Sequence, residues 1–94
     1  MNSSWIYIMT NANNTVLYVG VTSNLTQRVR QHKAKELEGF TARYNITKVI
    51  YVEEYADIRN AIEREKQIKS WSRRKKEELI ATQNPSWRDL FDDM

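Results

Sequence analysis

Two short runs rich in β-branched and aromatic residues, Trp5-Ile6-Tyr7-Ile8-Met9-Thr10 and Val16-Leu17-Tyr18-Val19-Gly20-Val21, flank Asn11-Ala12-Asn13-Asn14-Thr15, which has the composition of a turn. So short a connection leaves antiparallel pairing as the available arrangement, so the runs predict a hairpin. A third strand is expected over Lys48 to Glu54, where Val49-Ile50-Tyr51-Val52 is a short apolar run. Before it, Ser23 or Asn24 can cap a helix running to about Lys35, followed by a less regular segment from Glu38 to Asn45. After Asp57, itself a good N-cap, the pattern is helical to about Trp71. Ser72 can cap another helix to about Thr82, Asn84-Pro85 stops it, and Pro85-Ser86-Trp87 opens a last turn before an acidic tail. The expected order is ββαβαα, an α/β (α+β) fold.

The 94 residues predict a single domain over 1–94 with a modest core, and two glycines and one proline leave no room for a linker. Without cysteine the fold owes nothing to disulfides or thiolate metal sites, and a reducing, cytoplasmic setting is expected. The N-terminus lacks the basic and apolar regions of a signal peptide, and no apolar run is long enough to span a bilayer, so no membrane partner is expected. The net charge of +3 is small, but its distribution is uneven. Residues 1–35 hold no acid and carry Arg28, Arg30, His32, Lys33 and Lys35. A second acid-free block contains Lys69, Arg73, Arg74, Lys75 and Lys76, while Asp89, Asp92 and Asp93 gather at the end. Such basic blocks suit a polyanionic partner.

Three groups of residues carry possible chemistry. At about 100° per residue, Ile58, Ala61, Ile62 and Ile68 fall on one helical stripe with Glu65 at its centre and Glu63 nearly opposite. A carboxylate turned inward must be paired or metal-bound. Glu65 is therefore either half of an ion pair with Arg28 or a lysine, or an oxygen ligand for Mg²⁺ or Mn²⁺. On the preceding helix Leu25 and Val29 define the apolar stripe, and Arg28 and His32, one turn apart, flank it. A salt-bridged arginine and a satisfied histidine are the ordinary reading; a cation for a phosphoryl group and a proton carrier are the functional one. On the hairpin, Trp5, Tyr7 and Met9 share a face, as do Val16, Tyr18 and Gly20. The tyrosines are core aromatics or site hydroxyls, and Gly20 marks a close approach.

Tyr7 after Ile6, Tyr18-Val19-Gly20 eleven positions later, Arg28 ten beyond Tyr18, His32 four beyond that, and Glu65 four after Ala61 together resemble the GIY-YIG nuclease pattern. Trp5-Ile6-Tyr7-Ile8-Met9-Thr10-Asn11, Gly39-Phe40-Thr41, Arg64-Glu65-Lys66-Gln67-Ile68-Lys69 and Trp71-Ser72-Arg73 resemble its small stand-alone bacterial members, which are excinuclease-subunit-like. The likeness runs from about Trp5 to Leu90, and Trp5 stands where the family's first motif glycine would be. The resemblance implies a three-stranded antiparallel sheet flanked by helices and one-metal endonucleolytic hydrolysis of DNA, with no small-molecule cofactor. It implies Glu65 as ligand of one Mg²⁺ or Mn²⁺, Arg28 as charge stabiliser, Tyr7 and Tyr18 at the attacking water with the base unassigned, and His32 assisting at the phosphate. A tyrosine acting as base at neutral pH would need its phenol lowered from a value near 10. A late asparagine of several branches matches Asn84 by order alone.

Two further classes stay open. One is a non-catalytic nucleic-acid-binding module held by Arg73 to Lys76 with stacking on Trp71, against a reading in which Trp71 is core and the block a solvated helix face. The other is a protein-interaction domain using Trp87, Leu90 and Phe91, against a reading in which they are packing residues.

Overall fold

In the computed structural model, which describes residues 2–37 and 39–94, β1 (Ser4–Thr10) and β2 (Leu17–Thr22) form the antiparallel hairpin. Strand β3 (Lys48–Tyr55) pairs antiparallel with the other side of β1, giving the sheet order β2-β1-β3. Helices α1 (Leu25–Lys33) and α2 (Phe40–Arg43) lie between β2 and β3 in sequence. Helices α3 (Ile58–Lys69) and α4 (Arg73–Gln83) follow, and a 3₁₀ turn at Leu90–Asp93 ends the chain. Side chains of Asn24, Asp57 and Ser72 accept from the backbone N–H of Gln27, Arg59 and Lys75, which fixes the starts of α1, α3 and α4 where the cap residues predict them.

Helix α2 is absent from the expected order, in which the segment beginning at Glu38 is irregular; Glu38 itself lies outside the described residues. Four residues are too few for a periodic pattern, and end geometry defines this turn instead. Gly39 before it has φ of +93°, a conformation that favours glycine. Past its end, Asn45 has φ of 55°; its N–H donates to the Ala42 carbonyl and the Ile46 N–H to the Thr41 carbonyl at 2.9 Å, the two bonds of a Schellman cap.

The alternation of β1 divides the core. Ile6 and Ile8 point to one face, where they meet Val19, Ile50, Tyr51 and the helical residues Ala61, Ile68 and Ile80. Tyr7 and Met9 point to the other, against Leu25 and Val29 of α1, Ile46 and Val49. A bulge in β3 sets Tyr51 opposite Ile8 and Val49 opposite Met9, so Ile50 and Tyr51 both contribute to the first face. Burying each of these isoleucines contributes at most about 1.5–3 kcal/mol. The outer edge of β3 is sealed by side chains: Gln83 exchanges two hydrogen bonds with the Val52 backbone, Asn84 donates to the Ile50 carbonyl, and Asp89 accepts from the Val49 N–H.

Helix α3 is rotated from the orientation its apolar stripe predicts. Ala61 and Ile68 are buried, but Ile58 and Ile62 are 40% and 36% exposed. The turn is explained by a polar network absent from the periodicity argument. Arg64 donates twice to Glu53 at 3.0 and 3.1 Å, and Glu53 also accepts from the hydroxyls of Tyr51 and Tyr55. Burial opposes ionisation of Glu53, yet these donors outweigh it and hold the carboxyl below its ordinary value. Drawing Arg64 toward the sheet swings Glu65 to the flank of the buried face and carries the two isoleucines toward solvent.

Candidate active site

Four of the expected site residues meet on the sheet face covered by α1. Tyr7 and Tyr18 come from neighbouring strands, and the facing partner of Tyr7 across the ladder is Gly20. A Cβ on Gly20 would stand 2.4 Å from both Cζ and Oη of Tyr7, so the close approach this glycine permits is that of the Tyr7 ring. Any larger residue would expel the ring from its place. Val29 and Leu25 anchor α1 on this face. With the helix so fixed, His32 is turned inward, where it is 3% exposed and its Nε2 lies 3.1 Å from the Tyr7 hydroxyl. The Tyr7, Tyr18 and His32 rings are mutually 5.6 to 6.2 Å apart between centroids.

Arg28, one turn before His32, is partly buried and has no carboxylate partner among the described residues. It acts on both neighbours. Burial first, then Tyr18, pushes the Tyr7 phenol well above its ordinary value of 10.0, and Arg28 pulls it down without cancelling the rise. Tyr7 is therefore not the lowered phenol that a base at neutral pH requires. Burial and then the Arg28 charge hold His32 below 6.5, so its imidazole is neutral at pH 7. Its Nδ1 is buried with no hydrogen-bond partner. Tyr18, unlike the fully buried Tyr7, is partly exposed.

Glu65 does not join this cluster from the same side. Its helix packs on the opposite face of the sheet through Ala61 and Ile68. The carboxylate is 15% exposed and pairs with Lys69 at 3.5 Å, an i,i+4 contact to a lysine that is itself half exposed. It is not paired with Arg28. No group of three His, Cys, Asp or Glu side chains among the described residues could hold a metal, so any ion at Glu65 would take one protein oxygen and complete its shell from water and substrate. That donor set fits Mg²⁺ or Mn²⁺, which are commonly held so.

The basic block lies away from the cluster. Arg73 donates to the backbone carbonyls of Asn14 and Thr15 at 2.6 and 2.8 Å and pairs with Glu77, clamping α4 to the hairpin turn. Lys75 lies 4.3 Å above the Trp71 ring, and Trp71 packs on the core beside Leu79 and Trp87. Arg74 and Lys76 have no carboxylate partner among the described residues. Leu90 and Phe91 pack beneath the α1 face, held there as Asp89 binds Lys33 and the Val49 N–H. Asn84 is a structural residue: its amide donates to Ile50 and Arg88 and accepts from Arg88, on the β3 edge far from β2. Phe40, which the resemblance quotes only within Gly39-Phe40-Thr41 and without a role, and Tyr44 extend the aromatic cluster outward from Tyr18. Their four-residue spacing was the available signal.

A three-stranded sheet carrying a tyrosine from each hairpin strand, with arginine and histidine one turn apart on the helix above, defines a GIY-YIG type domain. The sequence profile described as the GIY-YIG catalytic domain matches residues 3–78, and the chain belongs to this family. It is 36% identical to a UPF0213 protein of Natronomonas pharaonis over 82% of this chain and 89% of that one. A UPF0213 protein of Syntrophus aciditrophicus is 31% identical over 90% of this chain and 97% of the other. The solution structure of a UPF0213 protein from Bacillus halodurans superposes with a TM-score of 0.60 at 20% identity, covering 94% of this chain and 93% of that one. The chain thus groups, within the GIY-YIG family, with proteins of the UPF0213 kind. No helix among the described residues is long and apolar enough to cross a membrane.

Proposed function

We propose that the protein is a metal-dependent endonuclease that hydrolyses DNA phosphodiester bonds. The observation carrying this reading is Arg28: a partly buried guanidinium, beside two phenols and an imidazole, without a carboxylate to neutralise it among the described residues. Such a cation is suited to an anion from outside, and a phosphodiester is the anion that the family membership makes relevant. Arg28 binds a phosphate oxygen and stabilises the charge that develops there. Tyr18 is the phenol solvent can reach, and it orients the attacking water. Tyr7 is a positioning residue: it holds the His32 ring and packs against Tyr18. Neutral His32 is the group of the cluster whose pKa suits receipt of a proton, and the Tyr7 hydroxyl links it to the site. One Mg²⁺ or Mn²⁺ held by Glu65 would supply Lewis-acid charge stabilisation at the phosphate.

The alternative, a non-catalytic module built on Lys69 to Lys76, has less in its favour because Arg73 is committed to the hairpin turn and Lys75 to Trp71. Branched, flapped, single-stranded and duplex DNA incubated with Mg²⁺, Mn²⁺ or EDTA test the reading. Cleavage that stops in EDTA and returns with Mn²⁺ supports it; cleavage by metal-free protein in EDTA removes the one-metal mechanism.

A further inference from the structure

An aromatic ladder leads from the candidate site to solvent. Phe40 stacks on Tyr18 with centroids 6.4 Å apart and planes 28° from parallel, and Tyr44 follows 4.7 Å beyond Phe40. Phe40 is 48% and Tyr44 42% exposed, an unusual state for two large rings in contact on the surface of so small a chain. Their exposure is built in by the backbone. On the same short helix Thr41 is buried at 6%, and Ile46 just beyond it is fully buried, so the inward face is pinned and the i,i+4 pair Phe40 and Tyr44 must point out. Gly39 at φ +93° and the Schellman cap at Asn45 fix both ends of the turn. The Arg43 guanidinium lies 5.7 Å from the Tyr44 ring centre, and no acid occurs from Gly39 to Val52, with Glu36 and Glu38 just before that stretch in sequence.

Exposed rings beside a cation that has no carboxylate partner among the described residues suit sequence-tolerant base stacking, and a base within a duplex has no free face to offer. Resting on the nuclease reading for the adjoining phosphate site, we infer that Phe40 and Tyr44 form a stacking platform for unpaired nucleotides, making single-stranded DNA the substrate class. Bases stack outward from Phe40 while the adjacent phosphate reaches Arg28 and Tyr18. Ring faces are surfaces that every base can stack on, so sequence preference is weak.

Binding measured by fluorescence anisotropy in EDTA tests the platform apart from cleavage, using a fluorescein-labelled mixed-sequence single strand and the corresponding duplex. Phe40→Ala and Tyr44→Ala should each weaken single-strand affinity roughly 5- to 100-fold and duplex affinity less than about twofold. Phe40→Leu keeps most of the packing on Tyr18 but should bind as weakly as the alanine variant, while Phe40→Trp should restore affinity. Thermal melts check that all four variants fold. Equal losses on single strand and duplex, tighter wild-type binding to duplex, or full affinity in Phe40→Leu would each overturn the platform. If single-strand binding depends on Phe40 as stated but no DNA is cut with Mn²⁺, the platform stands and the nuclease reading fails; cutting of duplex DNA with no effect of Phe40 has the opposite meaning.

Discussion

Arg28→Ala should lower kcat on a cleavable DNA by about a hundredfold or more, because the charge on the phosphate then develops with no fixed cation beside it. Since Arg28 has no carboxylate partner among the described residues, the melting temperature should hardly move. Gly20→Ala makes a different demand. The new methyl and the Tyr7 ring cannot share their space, so the variant should lose about 1–3 kcal/mol in denaturant unfolding. Tyr7→Leu in the same chain should recover much of that loss without recovering activity, a coupling that independent sites would not give. His32 contributes a pH dependence. Its folded pKa lies below the 6.5 of the unfolded chain, so the stability tied to its neutral form is full above that pH and is lost as pH falls through the folded value. His32→Gln should flatten the fall in melting temperature between about pH 7 and 5.5; an unchanged slope would mean that folding leaves the ring's pKa where it is in the unfolded chain. The facing of Tyr7, Tyr18 and Gly20 was legible from strand alternation, and the pairing of Arg28 with His32 from helix spacing. The azimuth of Glu65 was not, because the contact between Glu53 and Arg64 that turns α3 joins residues on different elements and leaves no periodic trace.

The strands were legible from their β-branched and aromatic runs and the three longer helices from their side-chain caps, since Asn24, Asp57 and Ser72 all cap as their types predict. Helix α2 was not, since its ends are set by Gly39 and Asn45 and not by repeated apolar positions. Helix α4 shows the same limit for function. A run of four cations reads as one phosphate-binding face, yet Arg73 is turned to two carbonyls of the hairpin turn. Arg73→Ala should therefore cost about 1 kcal/mol of stability, its bonds being partly solvent-screened, and leave the salt dependence of DNA binding nearly unchanged. Reversing Arg74 and Lys76 to glutamate is the contrast, and should flatten the plot of log affinity against log salt if either side chain reaches phosphate. An equal change in both variants would return Arg73 to the binding surface.

At the scale of the molecule the sheet is a partition. Tyr7, Tyr18, Arg28, His32 and Phe40 stand on one side, and α3, which carries Glu65, stands with α4 on the other. One-metal chemistry at such a site depends on a single protein carboxylate, which makes Glu65 the place where the central claim is most exposed to test. Its contact with a half-exposed Lys69 is worth only about 0.3–0.5 kcal/mol, so Glu65→Gln should melt like the wild type in the absence of metal. Glu63→Gln, on the exposed side of the same helix, is the control. The deciding measurement is a Mn²⁺ titration of DNA cleavage by the wild type, Glu63→Gln and Glu65→Gln, with the fold of each checked by its melt. The account predicts that the wild type and Glu63→Gln respond alike to Mn²⁺ while folded Glu65→Gln stays near background at every concentration. A Glu65→Gln protein that is still activated by Mn²⁺ to wild-type rates would contradict it.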